Sequence, residues 1–71
     1  MIFGRYRRLH FVGIGGAGMS GMAEILADLG YHISGSDNNP TEVTERLQKR
    51  GINITSAHGA ENVADAHLVV I

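Results

Sequence analysis

Five glycines fall within the nine positions from Gly13 to Gly21, and their spacing is the first feature of the sequence that could do chemistry. The segment 13–18 (GIGGAG) fits G-x-G-x-x-G, which holds a diphosphate when it leaves a strand and enters a helix. Glycine permits the tight turn and a close backbone approach, and Gly18 is expected to let the helix pack near the sheet. The first N–H groups of that helix attract anions. We therefore predict a diphosphate site here; a glycine-rich turn that serves packing alone is the alternative.

Three further side chains are placed to extend this site. Asp37 stands 19 positions after Gly18, close to the roughly 20 expected of the acid that accepts a hydrogen bond from a ribose hydroxyl. The alternative is a turn-forming aspartate, because the segment SDNNP favours a turn in any case. Ser36 could form hydrogen bonds beside Asp37. His58 follows a predicted third strand, where it could reach a base or a phosphate or face the solvent.

The elements that must position these residues alternate between strands and helices. Short apolar runs predict four strands, at 8–14, 31–36, 52–55 and 66–71. Helical spacing and end signals predict two helices, at 17–29 and 41–50, the second capped by Asn39. One more helical turn is expected around 60–63. The order predicts an α/β fold, a Rossmann-like parallel sheet (β-α-β-α-β-β) with strands 3-2-1-4, incomplete at its C-terminus.

Composition limits the classes of function. The 71 residues make one small domain or part of one, and the net charge of -1 gives no general attraction to nucleic acid or to a membrane. There is no cysteine, so disulfides and thiolate metal sites are excluded. No apolar stretch approaches the roughly 18 residues of a membrane span, and no secretion signal is recognisable. A cytoplasmic location is therefore expected.

The remaining polar and sulfur-containing side chains are interpreted as structural. His10, His32 and His67 share no ligand spacing, so no metal site is expected. Basic residues at positions 5, 7 and 8 precede the first strand and are expected to be solvated. Met19 and Met22 are interpreted as core residues. Among the carboxylates, Glu24 and Asp28 look like ordinary surface groups, and no nucleophile–base pair is evident.

Three stretches carry a resemblance to a known family: HFVGIGGAGMSGMAEIL, GYHISGSD and INITSAHGAENVADAHLVVI. Over about residues 9–71 the chain resembles the amino-terminal domain of the Mur ligases, and among them the members that join L-alanine to UDP-N-acetylmuramate. The resemblance implies a three-domain bacterial, cytoplasmic enzyme of peptidoglycan precursor synthesis that uses ATP and Mg²⁺. Residues 1–71 would then be the UDP-substrate-binding domain, without the central ATP-binding domain, the C-terminal domain or any catalytic residue.

The family's binding residues are carried over position by position. The diphosphate of UDP would lie on the loop residues Gly15, Gly16, Ala17, Gly18, Met19 and Ser20. The ribose and uracil would lie beside Ser36, Asp37 and His58. No G-x-x-x-x-G-K-[ST] motif occurs in the chain, so ATP and Mg²⁺, and the L-alanine substrate, would be bound by the missing domains.

The residues themselves leave two other functions open. Backbone N–H groups cannot distinguish a UDP-sugar from NAD, since both present a diphosphate. Asp37 and the glycine spacing alone would also suit the NAD-binding half of a dehydrogenase. A non-enzymatic nucleotide-sensing regulatory domain is the third possibility.

Overall fold

The computed structural model describes residues 7–56 and 66–71. The elements, in chain order, are β1 (Arg8–Val12), α1 (Ala17–Asp28), β2 (His32–Ser36), α2 (Glu42–Lys49), β3 (Asn53–Thr55) and β4 (Leu68–Val70). The strands form one parallel sheet in the order β3-β2-β1-β4. This confirms the predicted α/β fold and strand order. The helical turn predicted at 60–63 lies outside the described residues.

The core lies between the sheet and the two helices. Alternate residues of β1, Leu9 and Phe11, are fully buried and share one cluster with residues of α1 and α2. The other buried apolar members are Ile14, Ala23, Leu26, Tyr31, Ile33, Leu47 and Ile52. Because side chains of a strand alternate between the two faces, this register directs one face of β1 toward both helices.

The first strand is shorter than the sequence predicted. It ends at Val12, because Gly13 adopts φ +74°, a left-handed conformation that glycine reaches at little cost. Gly13 and Ile14 then donate their main-chain N–H groups to Ser36 O, which closes the turn. The turn brings the glycine loop to the carboxyl end of the sheet.

The two helices begin in different ways. The N-cap of α2 is Thr41, so the prediction of Asn39 was wrong. Thr41 Oγ1 accepts a hydrogen bond from Val43 N at 3.2 Å, and Thr44 Oγ1 accepts one from Thr41 N at 2.9 Å. This pair satisfies N–H groups that have no partner within the helix. Asn39 instead donates its own N–H to Asp37. The N-cap of α1 is Gly16, which offers no side chain.

Ion pairs join the two helices along their exposed sides. Glu24 on α1 lies 2.9 Å from Arg46, and Asp28 forms a hydrogen bond with Arg50. That hydrogen bond raises the pKa of Arg50 above its ordinary value. Asp28 is exposed, as expected of a surface group, whereas the Glu24 side chain is only 26% exposed; both carboxylates pair with arginines of α2.

The apolar side of α1 was only partly predicted. Met19 packs against the core as expected, but Met22 is 46% exposed, so its assignment to the core was wrong. The buried side of α1 carries the small residues Ser20 and Ala23 together with Leu26. Within the described residues, no helix has the length and hydropathy that a membrane crossing requires.

Candidate functional site

The glycine loop is fastened to the end of β2 by three hydrogen bonds from successive main-chain N–H groups. Gly13 N and Ile14 N donate to Ser36 O at 2.8 and 3.1 Å. Gly15 N donates to the Asp37 carboxylate at 2.8 Å. The loop and the last residues of β2 therefore form one hydrogen-bonded unit at the carboxyl edge of the sheet.

A buried side chain also anchors the glycine loop to the hydrophobic core. Ile14 is fully buried in the core and packs against Gly35 in the middle of β2. Gly35 was missed by the sequence reasoning. The available signal was a glycine inside a predicted strand, which often marks the close approach of another segment.

Gly15 and Gly18 are glycines for different reasons. A Cβ atom on Gly15 would lie 2.7 Å from Asp37 Oδ2 and 3.0 Å from Thr44 Cγ2, so these side chains or the loop would have to shift to admit one. A Cβ atom on Gly18 would meet no atom within 4 Å. The expectation that Gly18 lets the helix pack closely on the sheet was therefore wrong, and Gly18 faces open space.

The N-terminus of α1 presents main-chain N–H groups that precede the first bond within the helix. That first bond runs from Ser20 N to Gly16 O at 2.8 Å. The N–H groups of Ala17, Gly18 and Met19 come before it and have no acceptor within the helix. The described residues place no capping side chain and no acidic residue in this first turn. Such an end carries a partial positive charge and favours an anion.

The N-terminus of α2 can be compared with that of α1 within the same chain. Its first turn contains Glu42 and Glu45 and a complete capping pair. The chain's own side chains therefore accept hydrogen bonds from its first N–H groups and place negative charge at the positive end of its dipole. Within the described part of the chain, side chains cap the N-terminus of α2 but not that of α1.

Those predicted site residues that the structure describes lie together at this edge but play unequal parts. Gly16 donates its N–H to Gly13 O at 3.0 Å, which tightens the turn. The Ser20 hydroxyl is buried and donates to Ala17 O, so it points into the helix. Ser36 is also buried and offers the loop its carbonyl oxygen. The half-buried Asp37 places its carboxylate beside Gly15. His58 lies outside the described residues.

A cavity of about 190 Å³ opens next to Asp37, between α2 and the end of β3. Its lining includes Pro40, Thr44, Gln48, Thr55 and Ser56. Asp37 and Ser56 directly follow β2 and β3, so the loops after these two strands contribute to the cavity. The contribution of α2 was not predicted from the sequence; its only signal was the spacing of Thr44 and Gln48, four residues apart on one helical face.

No group of three or more potential metal ligands occurs among the residues that the structure describes. What the edge offers an external molecule is a row of N–H donors at α1, a carboxylate at its side and, beyond it, a cavity lined by both polar and apolar residues.

Comparison with known proteins gives consistent matches. The sequence model of the "Mur ligase family, catalytic domain" matches residues 8–71. A UDP-N-acetylmuramate–L-alanine ligase of Geobacter sp. (strain M21) is 56% identical over 70 residues, which is 99% of this chain and 15% of that protein. The ligase of the same name from Koribacter versatilis (strain Ellin345) is 54% identical over 69 residues, again 15% of its length.

A solved structure agrees in fold. The crystal structure of the UDP-N-acetylmuramate-alanine ligase from Thermotoga maritima superimposes with a TM-score of 0.82 at 45% identity. The match covers 87% of this chain and 14% of that one. The chain thus spans about one-seventh of the length of the relatives it matches.

Proposed function

Because this chain belongs to the Mur ligase family, we propose that it is the amino-terminal, UDP-substrate-binding part of a UDP-N-acetylmuramate–L-alanine ligase. Relatives that are 56% and 54% identical carry this name, and the chain corresponds to about 15% of their length. The remaining length would supply the sites for ATP, Mg²⁺ and L-alanine. Such an enzyme would act in peptidoglycan precursor synthesis in the bacterial cytoplasm.

The observation that carries this proposal is the uncapped N-terminus of α1. A UDP-sugar presents a diphosphate, and the N–H groups of Ala17, Gly18 and Met19 can donate to its oxygens. The preceding loop keeps this end free of side chains, since Gly15 and Gly16 have none. The helix dipole adds attraction for negative charge. Diphosphate binding therefore needs no further basic residue at this place.

The nucleoside is proposed to extend from the diphosphate toward Asp37. The cavity beside Asp37 has a mixed lining, in which Thr55, Gln48 and Glu45 are polar and Ile54 is apolar. Such a lining suits the polar edges and the apolar faces of a ribose and a pyrimidine. Ser36 borders the same edge through its backbone. His58 follows β3 in the sequence and remains a predicted contributor.

The residues of this chain do not fit ATP and Mg²⁺. The spacing of Gly13 and Gly18 matches the glycines of a P-loop, but Met19 stands where that motif has its phosphate-binding lysine. A methionine supplies no charge to a phosphate. The described residues also contain no cluster of metal ligands. Phosphoryl transfer is accordingly assigned to other parts of the enzyme.

Calorimetry on the full-length protein tests the proposal. UDP-N-acetylmuramate, UDP, NADH and AMP are titrated separately into protein that carries no nucleotide. We expect both uridine compounds to bind more tightly than NADH and AMP. Tighter binding of NADH would favour a dehydrogenase half, and binding that fails to distinguish uridine from adenine nucleotides would favour a nucleotide-sensing domain.

A further inference from the structure

Both oxygens of the half-buried Asp37 carboxylate accept hydrogen bonds from main-chain N–H groups of the protein. Its Oδ2 atom accepts a hydrogen bond from Gly15 N at 2.8 Å, and its Oδ1 atom accepts one from Asn39 N at 2.9 Å. Its main-chain N–H donates to Thr55 O at 3.0 Å. Asp37 thus joins three segments: the glycine loop, the turn that leads to α2, and the end of β3.

Steric contact fixes the same arrangement. The place of a Cβ atom on Gly15 lies 2.7 Å from Asp37 Oδ2 and 3.0 Å from Thr44 Cγ2, so the loop backbone lies against both residues. Thr44 is itself buried and belongs to the capping pair of α2. The carboxylate therefore lies between the loop and α2, with the Thr44 methyl group beside it.

The charge of Asp37 also bears on where an anion can lie. Hydrogen bonds between N–H groups and a carboxylate are stronger than neutral ones, so Gly15 N is already well satisfied. A diphosphate close to Asp37 would be repelled by it. The N–H groups of Ala17, Gly18 and Met19 lie beyond this contact and are the ones left for a ligand.

From these contacts we propose that Asp37 is a positioning residue. It fixes the glycine loop by holding Gly15 N–H, and it contributes to ligand affinity through that loop instead of accepting a hydrogen bond from the ribose. This inference rests on the proposed function, and it reverses the ribose role that the spacing from Gly18 suggested.

A pair of ligands separates the two roles. The affinities of UDP and of 2′,3′-dideoxy-UDP, which lacks both ribose hydroxyls, are measured by calorimetry for the full-length protein and for Asp37→Ala. Loss of a charged hydrogen-bond partner is expected to weaken binding by roughly tenfold to a hundredfold. A positioning residue weakens the binding of both ligands by the same factor. A loss confined to UDP would mean that Asp37 contacts the ribose and would overturn the proposal, as would unchanged affinity for both.

A second measurement follows the loop without any ligand. With [¹⁵N]glycine labelling, the Gly15 amide proton is expected to exchange faster with solvent in Asp37→Ala, whereas the matched variant Asn38→Ala, an exposed neighbour, leaves it unchanged. Unchanged exchange in Asp37→Ala would overturn the positioning role. If the unaltered protein binds no uridine diphosphate, the proposed function fails, while this exchange measurement still decides whether Asp37 holds the loop.

Discussion

Ile14 lies directly against Gly35, so that a Cβ atom on Gly35 would be 2.5 Å from Ile14 Cδ1 and 2.7 Å from Ile14 Cβ. Ile14 belongs to the glycine loop and is fully buried, while Gly35 lies in β2, paired with Phe11 of β1. Because Gly35 has no side chain, there is room beside β2 for Ile14 of the glycine loop. One contact links the hydrophobic core to the conformation of the candidate site.

Gly35→Ala is expected to destabilise the fold and displace the loop. The added methyl group overlaps Ile14 at distances that atoms do not tolerate, so the backbone or the isoleucine must move. Overpacking of this kind costs about 1–3 kcal/mol in the free energy of unfolding. Urea denaturation measures the cost, and weaker UDP binding would report the displaced loop.

The matched control is Gly21→Ala. Gly21 lies inside α1 and faces open space, with no atom within 4 Å of its Cβ position. Alanine is favoured over glycine in a helix by roughly 0.5–1 kcal/mol, so this change should stabilise the protein and leave UDP binding unchanged. If Gly35→Ala and Gly21→Ala changed the free energy of unfolding and the UDP affinity equally, the Ile14 contact would not determine the effect at position 35.

Gly18→Ala tests whether a ligand approaches the helix end. The structure has room for this methyl group, so the free energy of unfolding should not fall. Side chains on a helix tilt toward its N-terminus, and the methyl group would therefore point to the proposed diphosphate. We expect the dissociation constant of UDP to rise by about tenfold, which is about 1.4 kcal/mol. Unchanged affinity in a stable variant would indicate that the diphosphate lies elsewhere.

Gly15→Ala is expected to impair both stability and binding. Its methyl group would meet Asp37 and Thr44 whether or not a ligand is present, at an expected cost of about 1–3 kcal/mol in unfolding free energy. The same change should cost less in an Asp37→Ala background, where the carboxylate no longer occupies the space. Additive effects in this double-mutant cycle would contradict the contact.

Two substitutions of Thr44 distinguish the contribution of its hydroxyl group from that of its methyl group. Thr44→Val keeps a methyl group beside Gly15 but removes the hydroxyl that bonds to Thr41, so it should lower the free energy of unfolding by about 1 kcal/mol. Thr44→Ser keeps the hydroxyl and should be the milder change. Urea denaturation of both variants checks the order, and a more damaging Thr44→Ser would mean that the methyl contact dominates.

The sequence predicted those features that depend on local signals. Hydrophobic periodicity and the positions of the glycines predict the alternation of strands and helices, the glycine loop and the strand order. They also predict the end of α1 near Gly30. The cap of α2 depends on which hydroxyl reaches back to which N–H group. Asn39 and Thr41 are both good caps by type, and only the structure distinguishes them.

The features that were missed depend on contacts between distant segments. Spacing places Asp37 at the edge of the sheet, but it does not reveal that the Asp37 carboxylate accepts a hydrogen bond from Gly15 N. The buried side of α1 was similarly ambiguous. Small residues such as Ser20 and Ala23 let the helix approach the sheet, which leaves Met22 exposed although its spacing fits the apolar pattern.

The central claim is that a diphosphate binds at the N–H groups of Ala17, Gly18 and Met19. The most direct test is the change in ¹⁵N–¹H amide shifts of the labelled full-length protein during titration with UDP and, separately, with uridine. We expect the amide signals of Ala17 and Gly18 to shift strongly with UDP and little with uridine. A diphosphate site at this helix end is ruled out if UDP binds while these two signals stay unchanged and others shift.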